Sequence, residues 1–273
     1  MKIKQPIRSI EEKSSHPEVA LLVTTYNRFD ALRLVLDTAL NQSIVPKEIV
    51  ICDDGSKPET TEGLRKWSQS VDPRISIVRV WQPDIEFRAA RSRNLGLLRV
   101  STPFVIMIDG DCLLPYRFIE RHLALAEEGR VTAGGRYLLP SKPTEQYISE
   151  KNFDIWRIKA FKLFYIPLGR LRDLSPSSWS RVKTCNMGLY MDDVLRINGF
   201  DENYIGWGRE DSDFVIRLVN SGVRIRNGRL ATTVVHLYHP EFDRASLNAN
   251  HIRFCSTLSN ASKRKASKSC LGE

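Results

Sequence analysis

VALLVTTY at residues 19–26 is an apolar, β-rich run that ends in three polar residues. Three more apolar runs follow in the first half of the chain: EIVICDD at 48–54, ISIVRVW at 75–81 and PFVIMID at 103–109. Helical patterns separate the four runs, near residues 28–41, 58–69 and 88–100. Strands that alternate with helices pair in parallel and are covered by those helices. The first half therefore predicts an α/β fold with a Rossmann-like, mostly parallel central sheet.

The second half of the chain has a looser pattern. Beyond about residue 115, short apolar runs mix with turns and helical stretches, as in VTAGGRYLL at 131–139, VKTCNMGLY at 182–190 and LATTVVHLYH at 230–239. No internal repeat and no long Gly/Ser linker interrupts the sequence. We predict an α+β second half that packs on the first half as one continuous body.

Acids and amides collect where the predicted strands end. The first strand ends in Thr24, Thr25, Tyr26 and Asn27, the second in Asp53, Asp54, Gly55 and Ser56, and the fourth in Asp109, Gly110 and Asp111. A single Asp after a strand is ordinarily a turn former. Two such clusters on one sheet, however, predict a ligand site, because parallel α/β sheets bind ligands at the carboxyl ends of their strands.

The sequence DGD at residues 109–111 sets two carboxylates on either side of a glycine. Mg²⁺ and Mn²⁺ favour oxygen ligands, and proteins often hold them with one or two carboxylates and the phosphates of a substrate. A cation held in this way can neutralise a departing diphosphate. The stretch FRAARSRN adds positive charge near the same edge through Arg88, Arg91 and Arg93, although two of these also fit the solvated face of a helix.

A second acidic stretch, GWGREDSD, occupies residues 206–213. The residues after it predict a helix that stops at Gly222 and has one apolar side: Phe214, Val215, Leu218 and Val219. Three acids of its first turn would cap this helix or interact with its dipole for about 0.3–1 kcal/mol each: Glu210, Asp211 and Asp213. Capping does not explain Trp207 between two glycines, an aromatic face of the kind on which sugars stack. These residues alone leave both roles open.

Composition places the chain among globular proteins. Of its 273 residues, 42% are hydrophobic and 27% are charged, which excludes disorder for most of the chain. No apolar run approaches the roughly 20 residues of a membrane span, and the N-terminus lacks an apolar signal core, so we expect a cytoplasmic protein. The cysteines are odd in number and lack paired spacing, which predicts reduced thiols and no zinc ribbon: Cys52, Cys112, Cys185, Cys255 and Cys270.

The net charge of +9 fits three kinds of partner: nucleic acid, an anionic membrane face or phosphorylated small molecules. Nucleic acid ranks lowest, because the basic residues are not interleaved with aromatic residues in a recognisable module. ASKRKASKSC, at residues 261–270, predicts a solvated, disordered end. A weak peripheral contact with an anionic inner membrane is the alternative for this segment.

Four motifs, in this order, resemble the nucleotide-diphosphosugar half of inverting family-2 glycosyltransferases with the GT-A fold: TTYNR, CDDGS, FRAARSRNLG and DGD. GFDENYIGWGREDSD followed by VVHLYHPE resembles the C-terminal part shared by β-1,4-galactosyltransferases and bacterial chondroitin-polymerase-like enzymes. The match runs from about residue 19 to 245. We accordingly divide the chain into an N-terminal extension at residues 1–18 and a nucleotide-sugar-binding subdomain at 19–115. An acceptor-binding and catalytic subdomain follows at 116–245, and a basic tail at 246–273.

The resemblance implies a role for each residue that matches a family motif. Six residues would bind the nucleotide donor: Thr25, Tyr26, Asn27, Asp54, Arg93 and Asp109. Asp111 and His239 would hold the metal, although His236 could serve in place of His239. Asp211 would be the general base, with Glu210 beside it binding the acceptor and Trp207 stacking on its sugar. Arg209 stands where the family pattern often has a second Gly, so this chain departs from the pattern beside the expected acceptor pocket.

The resemblance thus implies a metal-dependent inverting enzyme that uses Mn²⁺ or Mg²⁺. It would move a hexose or N-acetylhexosamine from a nucleotide sugar, UDP being the expected nucleotide, to a saccharide or lipid-linked saccharide acceptor. Bacterial surface polysaccharide or lipopolysaccharide assembly is the expected setting. One alternative is a noncatalytic carbohydrate-binding or scaffold protein on the same fold. Another is a sugar-1-phosphate nucleotidyltransferase, which needs a Gly-rich phosphate loop after its first strand, where this chain has TTYNRFD.

Overall fold

The computed structural model describes residues 16–150, 178–240 and 243–272. Within these residues the strands are β1 Val19–Thr25, β2 Glu48–Asp53, β3 Ser76–Trp81, β4 Phe104–Asp109, β5 Cys112–Leu113, β6 Arg130–Ala133, β7 Arg136–Leu138, β8 Asn186–Tyr190, β9 Arg224–Asn227 and β10 Val234–His236. The α-helices are α1 Phe29–Leu40, α2 Pro58–Ser68, α3 Ala89–Leu97, α4 Phe118–Leu125, α5 Ser141–Glu150, α6 Met191–Arg196, α7 Glu210–Asn220 and α8 Leu247–Leu258. Short 3-10 helices lie at Trp179–Arg181 and Cys270–Gly272.

The mostly parallel sheet predicted for the first half is confirmed. Strands β3, β2, β1 and β4 lie side by side in parallel. They belong to a seven-stranded sheet with the order β3-β2-β1-β4-β8-β6-β9, in which β8 runs antiparallel to both β4 and β6. Helices α1, α2 and α3 connect the first four strands within the ranges expected from the sequence. Because the connections are helical, the carboxyl ends of β1, β2 and β4 meet at one edge of the sheet.

Alternating side chains of the central strands fill the core on both faces of the sheet. Leu21 and Ile49 are fully buried on the face covered by α1 and α2. Leu22 and Val50 are fully buried on the opposite face, with residues of α3, α6 and α7. Each such side chain contributes about 1.5–3 kcal/mol by its burial. The strands are therefore held firmly, and so is the polar edge at which they end.

A three-stranded sheet of order β5-β10-β7 closes over this polar edge. β10 pairs antiparallel with β5, which sets His236 opposite Cys112, and it pairs in parallel with β7. The amide of Leu237 also donates to the carbonyl of Asp111 at 2.9 Å. The small sheet therefore joins the residues that follow β4 to the histidines at the end of β10, although the two segments are far apart in sequence.

The disordered end expected for residues 261–270 is wrong. α8 precedes this segment and contacts α7. The amide of Ala266 donates to the carbonyl of Ile197 at 3.0 Å, and the carbonyl of Lys268 accepts from the amide of Glu202 at 2.8 Å. The basic composition concealed these backbone contacts, which depend on the loop before α7 and not on side-chain hydrophobicity.

The N-terminal extension expected at residues 1–18 falls almost wholly outside the described residues, as does the stretch 151–177 of the second half. Among the helices that the structure describes, none has both the length and the apolar character needed to cross a membrane.

Candidate active site

A cavity of about 680 Å³ opens where the polar edge of the large sheet faces the first turn of α7 and the small sheet. This volume lies within the range of pockets that hold small molecules. Asp111 and Asp211 both line it, so the stretches DGD and GWGREDSD contribute to one site. The predicted site residues that line the cavity are Thr25, Tyr26, Asp54, Arg93, Asp109, Asp111, Trp207, Glu210, Asp211, His236 and His239.

The ends of β1, β2 and β4 form the floor of the cavity. Thr24 is in register with Asp109, and Thr25 with Asp53. Asp54, directly after β2, is 3% exposed and accepts a hydrogen bond from the amide of Arg88 at 2.8 Å. Burial raises the pKa of Asp54, although its hydrogen bonds oppose the shift. A polar floor has therefore formed where the sequence predicted it.

Tyr26 and Asn27 differ in their positions. Tyr26 lines the cavity, and its hydroxyl donates to Asp84 Oδ2 at 3.0 Å. Asn27 joins the loop after β1 to the loop after β2: its amide donates to Ser56 Oγ and its Oδ1 accepts from the amide of Lys57, both at 2.8 Å. Asn27 is engaged outside the cavity wall, and a donor-binding role for it stays a prediction.

Asp111 lies between two histidines and an arginine. Its Oδ1 is 3.5 Å from His236 Nε2, and its Oδ2 is 3.7 Å from His239 Nε2. The Oδ2 atom also accepts a hydrogen bond from Arg28 at 2.8 Å. Because β10 ends at His236, the chain leaves the strand and both imidazoles reach the carboxylate, with ring centroids 5.2 Å apart. Arg28 lines the cavity and was not among the predicted site residues.

Arg93 connects the two halves of the cavity. Its guanidinium lies 3.2 Å from Glu210 Oε1 and 3.5 Å from Asp109 Oδ1, and its Nε donates to Thr24 Oγ1 at 3.2 Å. Burial of Arg93 opposes its charge, but the nearby carboxylates, Glu210 foremost, outweigh burial and raise the pKa of Arg93. Arg93 thus joins Asp109, at the end of β4, to Glu210, on the first turn of α7.

Burial also acts on the carboxyls that Arg93 contacts. It raises the pKa of Asp109, and Arg93 opposes this shift. It raises the pKa of Glu210 as well, with a further increase from the charge of Asp211 and a decrease from Arg93. Removing the guanidinium would leave both carboxyls without the cation that opposes these shifts.

The three acids at the start of α7 have three different environments. Asp211 accepts a hydrogen bond from the amide of Ser212 at 2.7 Å and lies 3.2 Å from Lys183 Nζ. Glu210 pairs with Arg93. Asp213 is fully buried and forms an ion pair with Arg217. Of the capping contacts expected from the sequence, Asp211 accepts a hydrogen bond from one first-turn amide, while the side chain of the N-cap residue Arg209 makes no capping hydrogen bond.

The apolar side expected for α7 is present except at one position. Phe214, Val215 and Leu218 are fully buried in the core, whereas Val219 is 41% exposed, so its assignment to the apolar side is wrong. The helix ends before Gly222, whose φ is +96°, as the sequence predicted.

The glycines on either side of Trp207 have a structural reason. Gly206 has φ +76° and Gly208 has φ +108°, in the left-handed region that favours glycine. A Cβ on Gly206 would also collide with the side chain of Ser246, just before α8. Trp207 lines the cavity with the guanidinium of Arg244 over its ring, 5.1 Å from the centroid.

Arg209 also has a left-handed backbone, with φ +74°. Glycine adopts this conformation without steric cost, so the second Gly that the family resemblance implies at this point would fit the same backbone. The guanidinium of Arg209 lies 5.4 Å from the ring centroid of Phe254, on α8. The side chain thus attaches the loop to the C-terminal helix.

Two further cavity residues escaped the sequence reasoning. Lys183 pairs with Asp211, and Arg136 donates to Cys185 Sγ at 3.8 Å. The sequence indicates only mixed elements of the α+β half for the segments that carry them, because the contact of a lone Lys or Arg with a distant residue leaves no local pattern. Lys183 is relevant to the chemistry, since it places a positive charge beside the carboxylate expected to act as base.

Comparisons with known proteins agree with this architecture. A profile of glycosyl transferase family 2 matches residues 20–196, and a profile described as the N-terminal domain of galactosyltransferase matches residues 174–240. The structure is similar to a mannosyltransferase from Pyrobaculum calidifontis in complex with GDP-Man and Mn²⁺, with a TM-score of 0.60 and 16% identity over 89% of this chain and 63% of that one. It is also similar to TarS of S. aureus in complex with UDP, with a TM-score of 0.60 and 12% identity over 89% and 66%. These likenesses confirm the GT-A fold.

Curated relatives are also enzymes that form glycosidic bonds. A validoxylamine A glucosyltransferase of Streptomyces hygroscopicus subsp. limoneus is 29% identical over 77% of this chain and 50% of its own length. A chondroitin synthase of Pasteurella multocida is 27% identical over 82% of this chain and 25% of its own. The chain thus spans half or less of the length of these relatives. Since the first profile covers more than half of the chain, and acids at the strand ends line the cavity, the chain belongs to glycosyl transferase family 2.

Proposed function

We propose that this chain is a metal-dependent inverting glycosyltransferase that moves a hexose or N-acetylhexosamine from a nucleotide sugar to a saccharide acceptor. One observation carries the proposal: Asp111, with two histidines beside it, and Asp211, on the first turn of α7, line the same cavity. An inverting transfer needs a group that steadies the leaving nucleotide and, opposite it, a base for the incoming hydroxyl.

The floor of the cavity is the proposed donor site. Thr25, Asp54 and Asp109 offer hydroxyl and carboxyl groups to a ribose or base, and Arg93 adds a fixed positive charge. UDP is the proposed nucleotide, because the motif resemblance favours it and TarS was solved with UDP. The similar mannosyltransferase was solved with GDP-Man, so the test below also includes a GDP-sugar.

The residues around Asp111 fit a divalent cation. A carboxylate with imidazoles nearby suits Mn²⁺, while oxygen-only coordination with substrate phosphates suits Mg²⁺. Asp111 with His239, or with His236, would hold the ion, which would supply positive charge to the leaving diphosphate. Arg28 occupies Oδ2 of Asp111 at 2.8 Å and must give up this contact if the ion binds on that side.

Asp211 is the proposed general base. An acceptor hydroxyl is a poor nucleophile at neutral pH, so a carboxylate within about 2.6–3.2 Å must remove its proton as the hydroxyl attacks the anomeric carbon. The hydrogen bond from the amide of Ser212 orients the Asp211 carboxylate, and the Lys183 ammonium lies 3.2 Å from its Oδ2. Glu210 would bind the acceptor beside it, with Trp207 stacking on a sugar ring.

A saccharide or lipid-linked saccharide of bacterial surface polysaccharide or lipopolysaccharide assembly is the proposed acceptor. The family resemblance and the chondroitin synthase relative support this choice. For such an acceptor we also propose a cytoplasmic enzyme, with the basic C-terminal segment as a peripheral contact to anionic lipid.

The test is a calorimetric titration of UDP-sugars and GDP-mannose with and without Mn²⁺, followed by measurement of free nucleotide diphosphate. We expect binding that needs Mn²⁺, slow donor hydrolysis, and loss of both in Asp111→Asn. The surface variant Asp72→Asn is the matched control and should behave as the wild type. Glycan binding without a metal and without hydrolysis would contradict the proposal and favour a noncatalytic protein.

A further inference from the structure

The loop that carries Trp207 depends on other segments for its conformation. We call residues 205–209 the Trp207 loop, since none of them belongs to a helix or a strand. Gly206, Gly208 and Arg209 all have positive φ, a backbone region that helices and strands do not use. A chain with two glycines has many conformations open to it, so one of them is kept only where outside contacts select it. The Trp207 loop has such contacts on two sides.

The amide side chain of Asn250 fixes the backbone of the Trp207 loop from the side of α8. Asn250 is 3% exposed, and its Nδ2 donates to the carbonyl of Ile205 at 3.0 Å and to that of Gly206 at 3.4 Å. On the other side, the amide of Gly206 donates to the carbonyl of Phe87 at 2.8 Å. The backbone just before Trp207 is therefore held between α8 and the segment that precedes α3.

One face of α8 continues this support along the chain. Asn250, Phe254 and Thr257 are four and three residues apart, so they lie on the same face of the helix. The guanidinium of Arg209 lies over the ring of Phe254, 5.4 Å from its centroid, and the hydroxyl of Thr257 donates to Asp213 Oδ1 at 2.7 Å. α8 lies beyond residue 240, where the second family profile ends. The family profiles therefore do not account for this support.

The support acts directly on the residue expected to bind the acceptor. Trp207 lines the cavity and directly follows Gly206, the residue held on both sides. A displacement of this backbone moves the indole with it, and a misplacement of about 1 Å in a positioning group can cost about 10²-fold in rate. We propose that α8 positions the Trp207 loop for the acceptor, and that Asn250 is a positioning residue that acts on sugar binding through Trp207. This role rests on the proposed function, in which Trp207 stacks on the acceptor sugar.

A double-mutant cycle on the full chain tests the proposal. The donor is the nucleotide sugar that shows Mn²⁺-dependent hydrolysis, and a chondroitin oligosaccharide is the acceptor probe. Asn250→Ala should raise KM for the probe about three- to tenfold, the effect of one net hydrogen bond, and leave kcat near that of the wild type. In Trp207→Ala/Asn250→Ala, KM should equal that of Trp207→Ala, because Asn250 then has no indole to position. An unchanged KM in Asn250→Ala, or full additivity of the two changes, would overturn the proposal.

Gln42 is a matched control away from the cavity wall. Its amide side chain is also buried and also donates to two backbone carbonyls, those of Thr38 at 3.0 Å and Pro115 at 2.9 Å. Gln42→Ala should lower the urea unfolding midpoint, as Asn250→Ala should, but keep the acceptor KM of the wild type. A rise in KM by the same factor in Gln42→Ala would count against the proposal, because a general loss of stability would then explain the effect of Asn250→Ala.

A second measurement follows the Trp207 loop without donor or acceptor. Acrylamide quenches exposed tryptophans, and subtracting the signal of a Trp207→Phe variant isolates the fluorescence of Trp207. Asn250→Ala should raise the quenching constant of Trp207, whereas Gln42→Ala should not; equal constants in Asn250→Ala and the wild type would refute the role of α8. If the wild type transfers no sugar to the probe, the failure concerns the proposed function, and the quenching still decides whether α8 holds the loop. Asn250→Ser, which keeps a hydroxyl donor, replaces Asn250→Ala in both measurements if circular dichroism shows that the alanine variant does not fold.

Discussion

The buried ion pair between Asp213 and Arg217 supports the first turn of α7, and replacing Asp213 by Asn should destabilise the protein strongly. Both side chains are fully buried, and Arg217 Nε lies 2.8 Å from Asp213 Oδ2. Asp213 Oδ1 also accepts from the hydroxyls of Tyr204 at 3.1 Å and Thr257 at 2.7 Å. Since Thr257 belongs to α8, one carboxylate attaches the C-terminal helix to the helix that carries the proposed base.

The size of the effect follows from the charge that remains. Asp213→Asn keeps the shape of the side chain but leaves the guanidinium of Arg217 buried, with the carbonyls of Ile197 and Gly199 as acceptors. Removing one partner of a buried pair costs about 3–5 kcal/mol, because the other charge stays uncompensated. A globular domain is stable by only about 5–15 kcal/mol. The loss is therefore a large part of the total.

Urea unfolding at pH 7, followed by circular dichroism, measures this loss. We expect a marked fall in the unfolding midpoint for Asp213→Asn. Asp72→Asn, which breaks an exposed pair with Arg74, should leave the midpoint unchanged within error. The double variant Asp213→Leu/Arg217→Met should lose less than the single variant, because no buried charge is left behind. A loss below about 1 kcal/mol in Asp213→Asn would refute the reasoning.

Three further predictions concern the histidine of α4 and the loop around Trp207. Burial lowers the pKa of His122 to about 4 from its ordinary 6.5. The contribution of this shift to the free energy of unfolding, about 3 kcal/mol, should be complete above pH 6.5 and lost as the pH falls towards 4. His122→Gln should flatten the pH dependence of the urea midpoint over that window, and an unchanged dependence would contradict this. Gly206→Ala should lower both the melting temperature and the rate of sugar transfer. Gly222 also has positive φ but open space around an added Cβ, so Gly222→Ala should lower only the melting temperature. Equal activities in the two variants would argue against a role of the Trp207 loop in transfer. Trp207→Ala should raise KM for the acceptor about tenfold, which corresponds to the loss of about 1.4 kcal/mol of stacking. Its rate of donor hydrolysis should stay near that of the wild type, and so should the acceptor KM of the exposed control Tyr116→Ala. An unchanged KM in Trp207→Ala would place the acceptor elsewhere.

The sequence was sufficient to predict the parallel sheet and the edge that carries the floor of the cavity. Apolar runs such as residues 19–26 and 103–109 are long enough to indicate buried strands by themselves. Thr25 and Asp109 are the last residues of β1 and β4, and Asp54 directly follows β2. These are local signals, in which each strand and its terminal residues lie together in the chain. The stretch GWGREDSD at residues 206–213 could be assigned to the site only through the family resemblance, since its acids also fit the start of a helix.

The remainder depended on contacts between distant segments. Lys183 pairs with Asp211, and Arg28 pairs with Asp111. Each pair joins residues that are far apart in sequence, so no local pattern predicts it. The C-terminal segment reads as disordered because its residues are small or basic, yet its backbone finds partners in the loop before α7. The sequence predicts only a reduced thiol for Cys112, and the pairing of β5 with β10 is what brings it near His236.

The most direct test of the central claim is the rate of sugar transfer by Asp211→Asn, with saturating nucleotide sugar, Mn²⁺ and a saccharide acceptor. If Asp211 removes the proton of the acceptor hydroxyl, the rate should fall by about 10²–10⁴-fold, as for the loss of a general base, while Mn²⁺-dependent binding of the donor stays intact. Transfer at the wild-type rate by this variant would contradict the account.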